Sequence, residues 1–194
     1  MAIYRKLFWI KPEGSLFVTA TEFHTLLTGK NLTEAQLAPL LVSALKHSGC
    51  KIAAAESCTG GLVCEKITSV PGASSVFDCG VCAYANHIKE QLLQVNAKTL
   101  LQYGAVSMQT AAQMAQGVRR LAGADIGIST TGIAGPSGGT GEKPVGLVFI
   151  GCSTTDHTTV IKALLADAGD GSRQRIRHTA ACVALYSALQ ALNR

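Results

Sequence analysis

The alternation of short apolar runs with helix-periodic segments limits most strongly what this chain can fold into. The strand-like runs are residues 51–56, 76–84 and 125–131. The helix-like segments are residues 33–48, 59–68, 86–94, 97–103, 107–122 and 172–193. A chain that alternates in this way folds with helices on both faces of a sheet. We therefore predict an α/β fold, a three-layer α/β/α sandwich with a mixed, mainly parallel sheet.

Residues 145–165 account for the mixed character of the predicted sheet. They form two apolar runs, 145–153 and 158–165, separated only by the short turn 154–157. Parallel neighbours need a crossover of a dozen or more residues, so strands joined this closely pair antiparallel.

The composition supplies a core and helps helices to lie close to a sheet. Of the 194 residues, 47% are hydrophobic and 15% are charged, which argues against an intrinsically disordered chain. Aromatic residues make up 5%, whereas there are 20 glycines. Such a share of small residues suits α/β packing.

The first 30 residues differ from the rest and are predicted to form a hairpin or an arm. Pro12-Glu13-Gly14-Ser15 is a turn signal between two apolar runs. We place a boundary near Asn31, which gives an N-terminal extension at residues 1–30 and a main domain at residues 31–194. The run Leu7-Phe8-Trp9-Ile10 is far too short for a signal sequence or a membrane span, so no membrane partner is expected.

The positive charge of the chain is dispersed. The formal net charge is +5, but the 17 Lys and Arg are mostly scattered, so no nucleic-acid partner is expected. The one dense group is Arg173, Arg175 and Arg177, beside His178. A solvated helix face explains such a group and is preferred for Arg175. A small anionic ligand is the sharper interpretation for the group as a whole, and a long polyanion ranks third.

Cysteine usage indicates the compartment and bears on metal binding. Seven cysteines in a chain without a secretion signal favour the reducing cytoplasm. Cys79 and Cys82 form half of a zinc-ligand pattern, but no second pair completes the four ligands of a structural zinc. The pair also falls in a predicted strand, where positions three apart face opposite sides. We assign these thiols to packing and predict no metal and no cofactor.

Ser57 lies where a strand ends and a helix begins, within Glu56-Ser57-Cys58-Thr59-Gly60-Gly61. Free backbone N–H groups converge on such a turn, and the two glycines let a ligand approach closely. A serine there can attack a carbonyl while nearby amides hold the oxyanion. It can also simply cap the helix, and spacing alone favours the cap.

Lys89 is the candidate base for a nucleophilic Ser57. The five histidines lie in unpromising contexts, with His87 the least so, and Ser57 lacks the flanking glycines of a Gly-x-Ser-x-Gly elbow. Lys89 lies on the first turn of a predicted helix after a strand, so it can approach the same sheet edge as Ser57. Burial near a helix N-terminus disfavours the ammonium form. An exposed lysine on a solvated helix face is the alternative.

A glycine-rich segment, Gly132–141, follows the predicted strand 125–131. It is not a Walker A loop, because Gly141 is followed by Glu142, and the Gly-x-Gly-x-x-Gly pattern is missing. A ligand-lining loop and a plain long turn both fit these residues.

Several ordered motifs together carry a family resemblance. They are Ala55-Glu56-Ser57-Cys58-Thr59-Gly60-Gly61, Val70-Pro71-Gly72-Ala73-Ser74, Tyr84-Ala85-Asn86-His87-Ile88-Lys89, Gly104-Ala105-Val106-Ser107, Thr131-Gly132-Ile133-Ala134-Gly135-Pro136, Glu142-Lys143-Pro144-Val145-Gly146 and Arg173 to Arg177. In this order, over residues 32–194, they resemble the CinA C-terminal domain family, whose enzymatically active members are nicotinamide-nucleotide amidases. The chain departs from the family pattern at Ser172, where an aspartate is usual.

The resemblance implies a cytoplasmic hydrolase of pyridine-nucleotide salvage, which converts nicotinamide mononucleotide to nicotinic acid mononucleotide and ammonia. It implies Ser57 as nucleophile, Lys89 as base and Tyr84 as an assisting hydroxyl. The substrate-binding positions that it implies are Cys58, Thr59, Gly60, Gly61, Asn86, Thr131, Gly132, Ala134, Gly135, Arg173 and Arg177. Main-chain groups around Cys58–61 would receive the oxyanion, and Arg173 or Arg177 would meet the phosphate.

Three hypotheses therefore stand after the sequence. The leading one is a Ser-Lys amidohydrolase that acts on a small nucleotide. The second is a non-catalytic member that binds a nucleotide or a partner through the same pocket. The third is a homo-oligomer in which residues 1–30 clasp a neighbouring copy, and association of copies is also expected of the enzyme.

Overall fold

A seven-stranded sheet forms the middle layer of the computed structural model, which describes residues 9–10, 16–167 and 169–192. Its strands are β1 Trp9–Ile10, β2 Leu16–Thr19, β3 Ile52–Glu56, β4 Phe77–Cys82, β5 Ile126–Gly132, β6 Leu147–Ser153 and β7 Thr158–Leu164. Their order is β1-β2-β7-β6-β5-β3-β4. The pairings make β1 and β6 run against the other strands. The mixed, mainly parallel sheet is confirmed.

Helices cover both faces of the sheet. They are α1 Ala20–Gly29, α2 Leu37–Ser48, α3 Leu62–Thr68, α4 Asn86–Leu93, α5 Ala97–Tyr103, α6 Met108–Ala122 and α7 Arg173–Leu192, with 3₁₀ turns at Glu34–Gln36 and Ala73–Ser75. Helices α2, α3 and α7 pack together on one face, and α4, α5 and α6 lie on the other. The three-layer prediction is therefore confirmed.

Strand β3 is buried on both faces, as expected for an inner strand of such a sandwich. Ala53 and Ala55 face the core formed with α4, α5 and α6, whereas Ile52 and Ala54 face the core that contains α2 and α7. The alternation follows from the two-residue period of a strand. Its small side chains leave room for helices on both sides.

Two glycines allow especially close packing on the α6 side. A Cβ at Gly117 would collide with the main-chain oxygen of Leu93, where α6 passes α4. A Cβ at Gly127 would collide with the main-chain oxygen of Ala115, where β5 lies against α6. These contacts explain why a glycine-rich chain suits this fold.

The strands β6 and β7 pair antiparallel, as the short turn between them predicted. The register runs from Leu147 opposite Leu164 to Ser153 opposite Thr158. The strand predicted from residue 145 begins two residues later, at Leu147. Gly146 has a φ of 90°, outside the range of a regular strand, so it forms the bend that precedes β6.

Helix limits are set by side chains as much as by periodicity. Ser107 caps α6, as predicted, and its hydroxyl accepts from the Thr110 amide at 3.2 Å. The helix predicted from residue 59 instead begins at Leu62. Gly60 and Gly61 have φ values of 58° and 100°, so the backbone turns before the helix starts.

The N-terminal residues extend the same sheet. Strand β2 pairs parallel with β7, and β1 pairs antiparallel with β2. The predicted turn at residues 12–15 lies outside the described residues. Phe23 of α1 packs edge-on against the ring of Tyr186 in α7, with 5.8 Å between ring centroids. The division into two domains at residue 31 stays a prediction.

Asp167, which follows β7, joins the extension to the rest of the fold. Its carboxylate accepts from the amides of Ala20 and Thr21 at 3.1 and 3.2 Å and from the Thr21 hydroxyl at 2.9 Å. These amides belong to the first turn of α1, where backbone N–H groups have no acceptor within the helix. A side chain 147 residues away in sequence from Ala20 therefore caps α1.

Across the described residues, the helices are too short or too polar to cross a membrane.

Candidate active site

Three strands end side by side at one edge of the sheet. Glu56, the last residue of β3, lies opposite Cys82 of β4 on one side and Thr130 of β5 on the other. Ser57 follows immediately, and its amide donates to the Thr130 oxygen at 2.9 Å. Because these strands are parallel, the segments that follow them meet at the same edge. This edge is the candidate active site.

The buried carboxylate of Glu56 organises the turn that holds Ser57. Glu56 is only 1% exposed. Its Oε2 accepts from the Thr59 hydroxyl at 2.6 Å and from the amides of Gly61 and Val63 at 2.9 and 3.1 Å. Its Oε1 accepts from the Cys64 amide at 2.8 Å. Four donors thus compensate the burial of one negative charge.

The capping role considered for Ser57 is contradicted. The first amides of α3 donate to Glu56, and the residue at the N-cap is Gly61. Within the described ranges, the Ser57 hydroxyl makes no hydrogen bond, and its residue is partly exposed at the sheet edge. Since Glu56 provides the cap, the Ser57 side chain remains available for chemistry.

Lys89 is buried, which excludes the alternative of a solvated lysine. It lies on the first turn of α4 and is 1% exposed. Its Nζ donates to the main-chain oxygen of Tyr84 at 3.0 Å, which brings the amine back to the end of β4. Burial lowers the pKa of Lys89, and the thiols of Cys58 and Cys82, which act in the opposite direction, reduce this shift.

The cysteines of this edge are held in their neutral form. Burial raises the pKa of Cys58 to about 12. Burial also raises the pKa of Cys82, and the charge of Glu56 adds to this effect. A neutral thiol is a poor nucleophile. Although Cys58 is adjacent to Ser57, the hydroxyl is therefore the better candidate.

Two arginines of α7 reach the candidate site by different routes. Arg173 donates from Nη1 to the Gly135 oxygen at 2.8 Å and from Nη2 to the Tyr84 hydroxyl at 3.3 Å. Arg177 donates from Nε to the Cys58 oxygen at 3.2 Å and from Nη2 to the Thr59 oxygen at 2.6 Å. Arg173 is exposed, and its two bonds join the loop after β5 to Tyr84. Arg177 instead binds the turn that follows Ser57.

A cavity of about 600 Å³ opens beside Arg177. Its other lining residues are Leu62, Asp170, Ser172, Gln174, Arg175 and His178. Ser172 caps α7, since its hydroxyl accepts from the Arg175 amide at 3.2 Å. The cavity therefore presents cationic, polar and acidic groups to a ligand next to the Ser57 turn.

The remaining predicted binding residues have distinct positions. The Thr131 hydroxyl donates to the Ala105 oxygen at 2.7 Å. Gly132 packs against β6, since a Cβ there would lie 2.6 Å from the Leu147 oxygen. Ala134 is buried in the loop, and Asn86 is exposed at the start of α4. The roles predicted for these residues, as for Ser57, Tyr84 and Lys89, stay predictions.

Two residues of this site, Glu56 and Thr130, were not predicted from the sequence. The Thr130 hydroxyl lies 2.7 Å from that of Thr59, which also donates to Glu56. An acidic residue at the end of an otherwise apolar strand was the available signal. A charge in a strand buried on both faces requires local donors, and the following turn is the nearest source of them.

One group of potential metal ligands lies away from this edge. Atoms of Glu34, His178 and Cys182 lie within 4.8 Å of one another. The Glu34 carboxylate already accepts from Arg175 at 3.2 Å and lies 2.9 Å from the His178 imidazole. Arg175 is thus paired with an acid while its side chain stays 31% exposed, so the predicted helix-face position also carries an ion pair.

The model of the CinA C-terminal domain matches residues 34–192. The chain belongs to the CinA C-terminal domain family. Two curated relatives match this chain over only part of their own length. A protein of Caldanaerobacter subterraneus subsp. tengcongensis, whose name describes it as competence-damage inducible, is 52% identical over 142 residues, which are 73% of this chain and 34% of that protein. A CinA-like protein of Kosmotoga olearia is 48% identical over 159 residues, 82% of this chain and 38% of that protein.

The chain thus spans about a third of the length of these curated relatives. Solved structures of similar size agree with the fold. The crystal structure of competence/damage inducible protein CihA from Agrobacterium tumefaciens has a TM-score of 0.78 at 38% identity and covers 83% of this chain and 96% of that one. The competence damage-inducible protein A from Klebsiella pneumoniae also has a TM-score of 0.78, at 30% identity, with 84% and 98% covered.

Proposed function

We propose that this chain hydrolyses the carboxamide of nicotinamide mononucleotide, giving nicotinic acid mononucleotide and ammonia. The chain belongs to the CinA C-terminal domain family, and its motifs resemble those of the family's enzymatically active members. The observation that carries the proposal is the burial of Lys89 at the end of β4, next to the strand that leads to Ser57. A lysine with a lowered pKa is suited to act as the base for a hydroxyl that follows the adjacent strand.

The proposed reaction uses Ser57 as a nucleophile and Lys89 as its base. The Ser57 oxygen attacks the carboxamide carbon while the Lys89 amine takes the hydroxyl proton. Collapse of the tetrahedral intermediate breaks the C–N bond, and Lys89 returns the proton to the departing ammonia. Water then attacks the ester at Ser57 and releases the carboxylate. Dividing the hydrolysis into two steps helps because an amide is a poor electrophile.

The charges of the substrate match two features of the site. The pyridinium nitrogen withdraws electrons from the carboxamide carbon, which lowers the demand on a serine that has no histidine partner. The phosphate requires a cation, and Arg173 is exposed beside Gly135 and Tyr84. Its remaining N–H groups can bind phosphate oxygens. Arg177 is less free for this task, because two of its nitrogens donate to the turn.

Ammonia release from nicotinamide mononucleotide tests the proposal. The unaltered chain should turn over with saturation kinetics, and Ser57→Ala should lower kcat by about a thousandfold or more, as expected for the loss of a nucleophile. Ser74→Ala, a change of the same kind at an exposed position, should leave kcat unchanged.

Mass spectrometry of the intact protein should also detect the ester at Ser57 after rapid quenching. Normal turnover in Ser57→Ala would overturn the assignment. Saturable nucleotide binding by the unaltered chain without ammonia release would instead favour a non-catalytic family member.

A further inference from the structure

The turn from Ser57 to Gly61 is held by a set of hydrogen bonds that uses most of its backbone groups. The Ser57 amide donates to Thr130, the Gly60 amide to the Ser57 oxygen at 3.2 Å, and the Gly61 amide to Glu56. Among the described residues, neither the Cys58 amide nor the Thr59 amide donates to another residue, and the Cys58 amide contacts only its own sulfur. Cys58 is 6% exposed, whereas Thr59 is fully buried. Of these two residues, Cys58 directly follows the serine and is the one that keeps some exposure, so its amide is the one left for a ligand.

Arg177 fixes the carbonyl groups of the same turn. Its Nε and Nη2 donate to the consecutive oxygens of Cys58 and Thr59. In a trans peptide the C=O and the N–H point in opposite directions. The Cys58 amide shares a peptide with the Ser57 oxygen, and the bond from the Gly60 amide to that oxygen sets its direction. Arg177 holds the following peptide, which joins Cys58 to Thr59, and so restrains the Cys58 backbone from the other side.

Glu56 fixes the donors of the turn, as Arg177 fixes its acceptors. The carboxylate binds the Thr59 hydroxyl and the Gly61 amide, so it restrains the segment just after Cys58. Glu56, from β3, therefore restrains N–H groups of the turn, and Arg177, from α7, restrains its C=O groups. Neither side chain needs to touch a substrate to have this effect.

We propose that Glu56 and Arg177 are positioning residues that hold the Cys58 amide in place as the donor to the oxyanion formed at Ser57. The inference rests on the proposed amidase function and refines it. The amide of the residue after a nucleophilic serine is a common oxyanion donor in hydrolases. Its value depends on being fixed before charge develops on the substrate oxygen. On this assignment Arg177 serves the turn, and Arg173 is the phosphate ligand.

The test uses Glu56→Gln and Arg177→Lys in the full chain. Glutamine keeps the shape of Glu56 but presents an NH₂ group to amides that require acceptors. Lysine keeps the charge of Arg177 but cannot donate to two carbonyls from a planar fork. The matched controls are Glu65→Gln, at an exposed position of α3, and Arg120→Lys, at an exposed position of α6.

The first readout is the separation of kcat from KM. We expect each test variant to lower kcat roughly tenfold or more, as a misplaced oxyanion donor would. We expect KM for nicotinamide mononucleotide to change less than about threefold, because Arg173 and its bonds to Gly135 and Tyr84 are unaltered. The two control variants should keep both constants.

The second readout does not depend on the natural substrate. A fluorophosphonate probe reacts with a nucleophilic serine: the Ser57 oxygen forms a bond to phosphorus, fluoride leaves, and the hydroxyl proton passes to Lys89 and then to solvent. The phosphonyl oxygen needs the same donor as a carbonyl oxyanion. Labelling of Ser57, followed by intact mass, should slow roughly tenfold in both test variants and remain unchanged in the controls.

The outcomes separate this inference from the proposed function. If the unaltered chain reacts with the probe but releases no ammonia, the nucleotide assignment fails while the labelling rates still test Glu56 and Arg177. Folded test variants with normal kcat and normal labelling would overturn the inference alone. Loss of the folded state in both variants, judged by thermal melting, would also count against it, because a role in folding would then explain the contacts.

Discussion

The Nζ of Lys89 lies 3.0 Å from the main-chain oxygen of Tyr84, and this bond holds a nearly fully buried amine at the end of β4. The neutral amine is the form that accepts a proton. Because burial lowers the pKa of Lys89, more of the neutral form is present near neutral pH than for an exposed lysine, whose pKa is about 10.4.

The pH dependence of turnover should report this lysine. We expect kcat/KM for nicotinamide mononucleotide to rise with pH and to level off above the pKa of Lys89, at a pH below that of an ordinary lysine. Lys89→Met should abolish the turnover, whereas Lys98→Met, at an exposed site on α5, should keep the profile. Substantial activity in Lys89→Met would contradict the role of base.

Burial of the Lys89 amine should lower the free energy of unfolding of the protein. A group with a pKa lowered by folding binds more protons in the unfolded chain, so stability rises as pH rises between the folded and unfolded pKa values. Replacing Lys89 by Met removes a buried amine, and we expect a higher free energy of unfolding at pH 7. The gain should shrink above about pH 10.4, where the unfolded lysine is also neutral. Urea titrations of both proteins at several pH values measure this; equal stability at pH 7 would contradict it.

Arg173 should determine affinity for the phosphate. Arg173→Met should raise KM for nicotinamide mononucleotide by about tenfold to a hundredfold, since a charge-assisted bond contributes about 1.5–3 kcal/mol. Nicotinamide riboside, which lacks the phosphate, should be much less affected. Steady-state kinetics on both substrates check this, with Arg120→Met, at an exposed position of α6, as the control. Equal losses for the two substrates would mean that Arg173 acts in some other way.

Gly117 should be difficult to replace. A Cβ at this position meets the Leu93 backbone oxygen, so Gly117→Ala must move α6 away from α4. We expect a loss of about 1–3 kcal/mol in the free energy of unfolding, as for other overpacked sites. Gly29→Ala is the matched change, because it also lies in a helix and its Cβ meets nothing within 4 Å. Thermal melts that show similar effects for both variants would refute the close approach.

Asp167 should stabilise the N-terminal helix in its ionised form. Burial alone would raise its pKa, but hydrogen bonds from Thr21 and Ala20 outweigh burial and lower the pKa. This contribution is present above the unfolded pKa and is lost as pH falls through the folded one. Asp167→Asn should cost about 1 kcal/mol at pH 7 and less in acid. Denaturant titrations compare it with Asp156→Asn, at an exposed turn, which should be neutral.

The sequence predicted the layers because they depend on local periodicity. Runs such as Ile52–Glu56 are apolar throughout, and the turn between β6 and β7 is too short for any but an antiparallel pair. The sequence does not determine whether Lys89 is exposed or buried, because its neighbours come from other segments. Burial becomes visible only when β3 and β4 are placed side by side.

The sequence predicted which residues form the candidate site, but few of the contacts between them. Ser57 was a cap or a nucleophile on spacing alone, and the choice depends on the Glu56 carboxylate reaching past it to Gly61 and Cys64. The bond from Arg177 to the Thr59 oxygen joins residues 118 apart in sequence. No local pattern encodes such a bond. The family resemblance implies that Arg173 or Arg177 meets the phosphate, and this stays a prediction.

The parallel pairing of β2 with β7 covers a strand edge that a shorter fragment of this chain would leave open. A fragment that began with the family match at residue 34 would expose the N–H and C=O groups of β7, and it would leave Tyr186 without the ring of Phe23. An uncovered strand edge beside an opened apolar surface promotes pairing between copies. Self-association of such a truncated protein would therefore reflect the missing cover, and would reveal nothing about how the longer chain assembles.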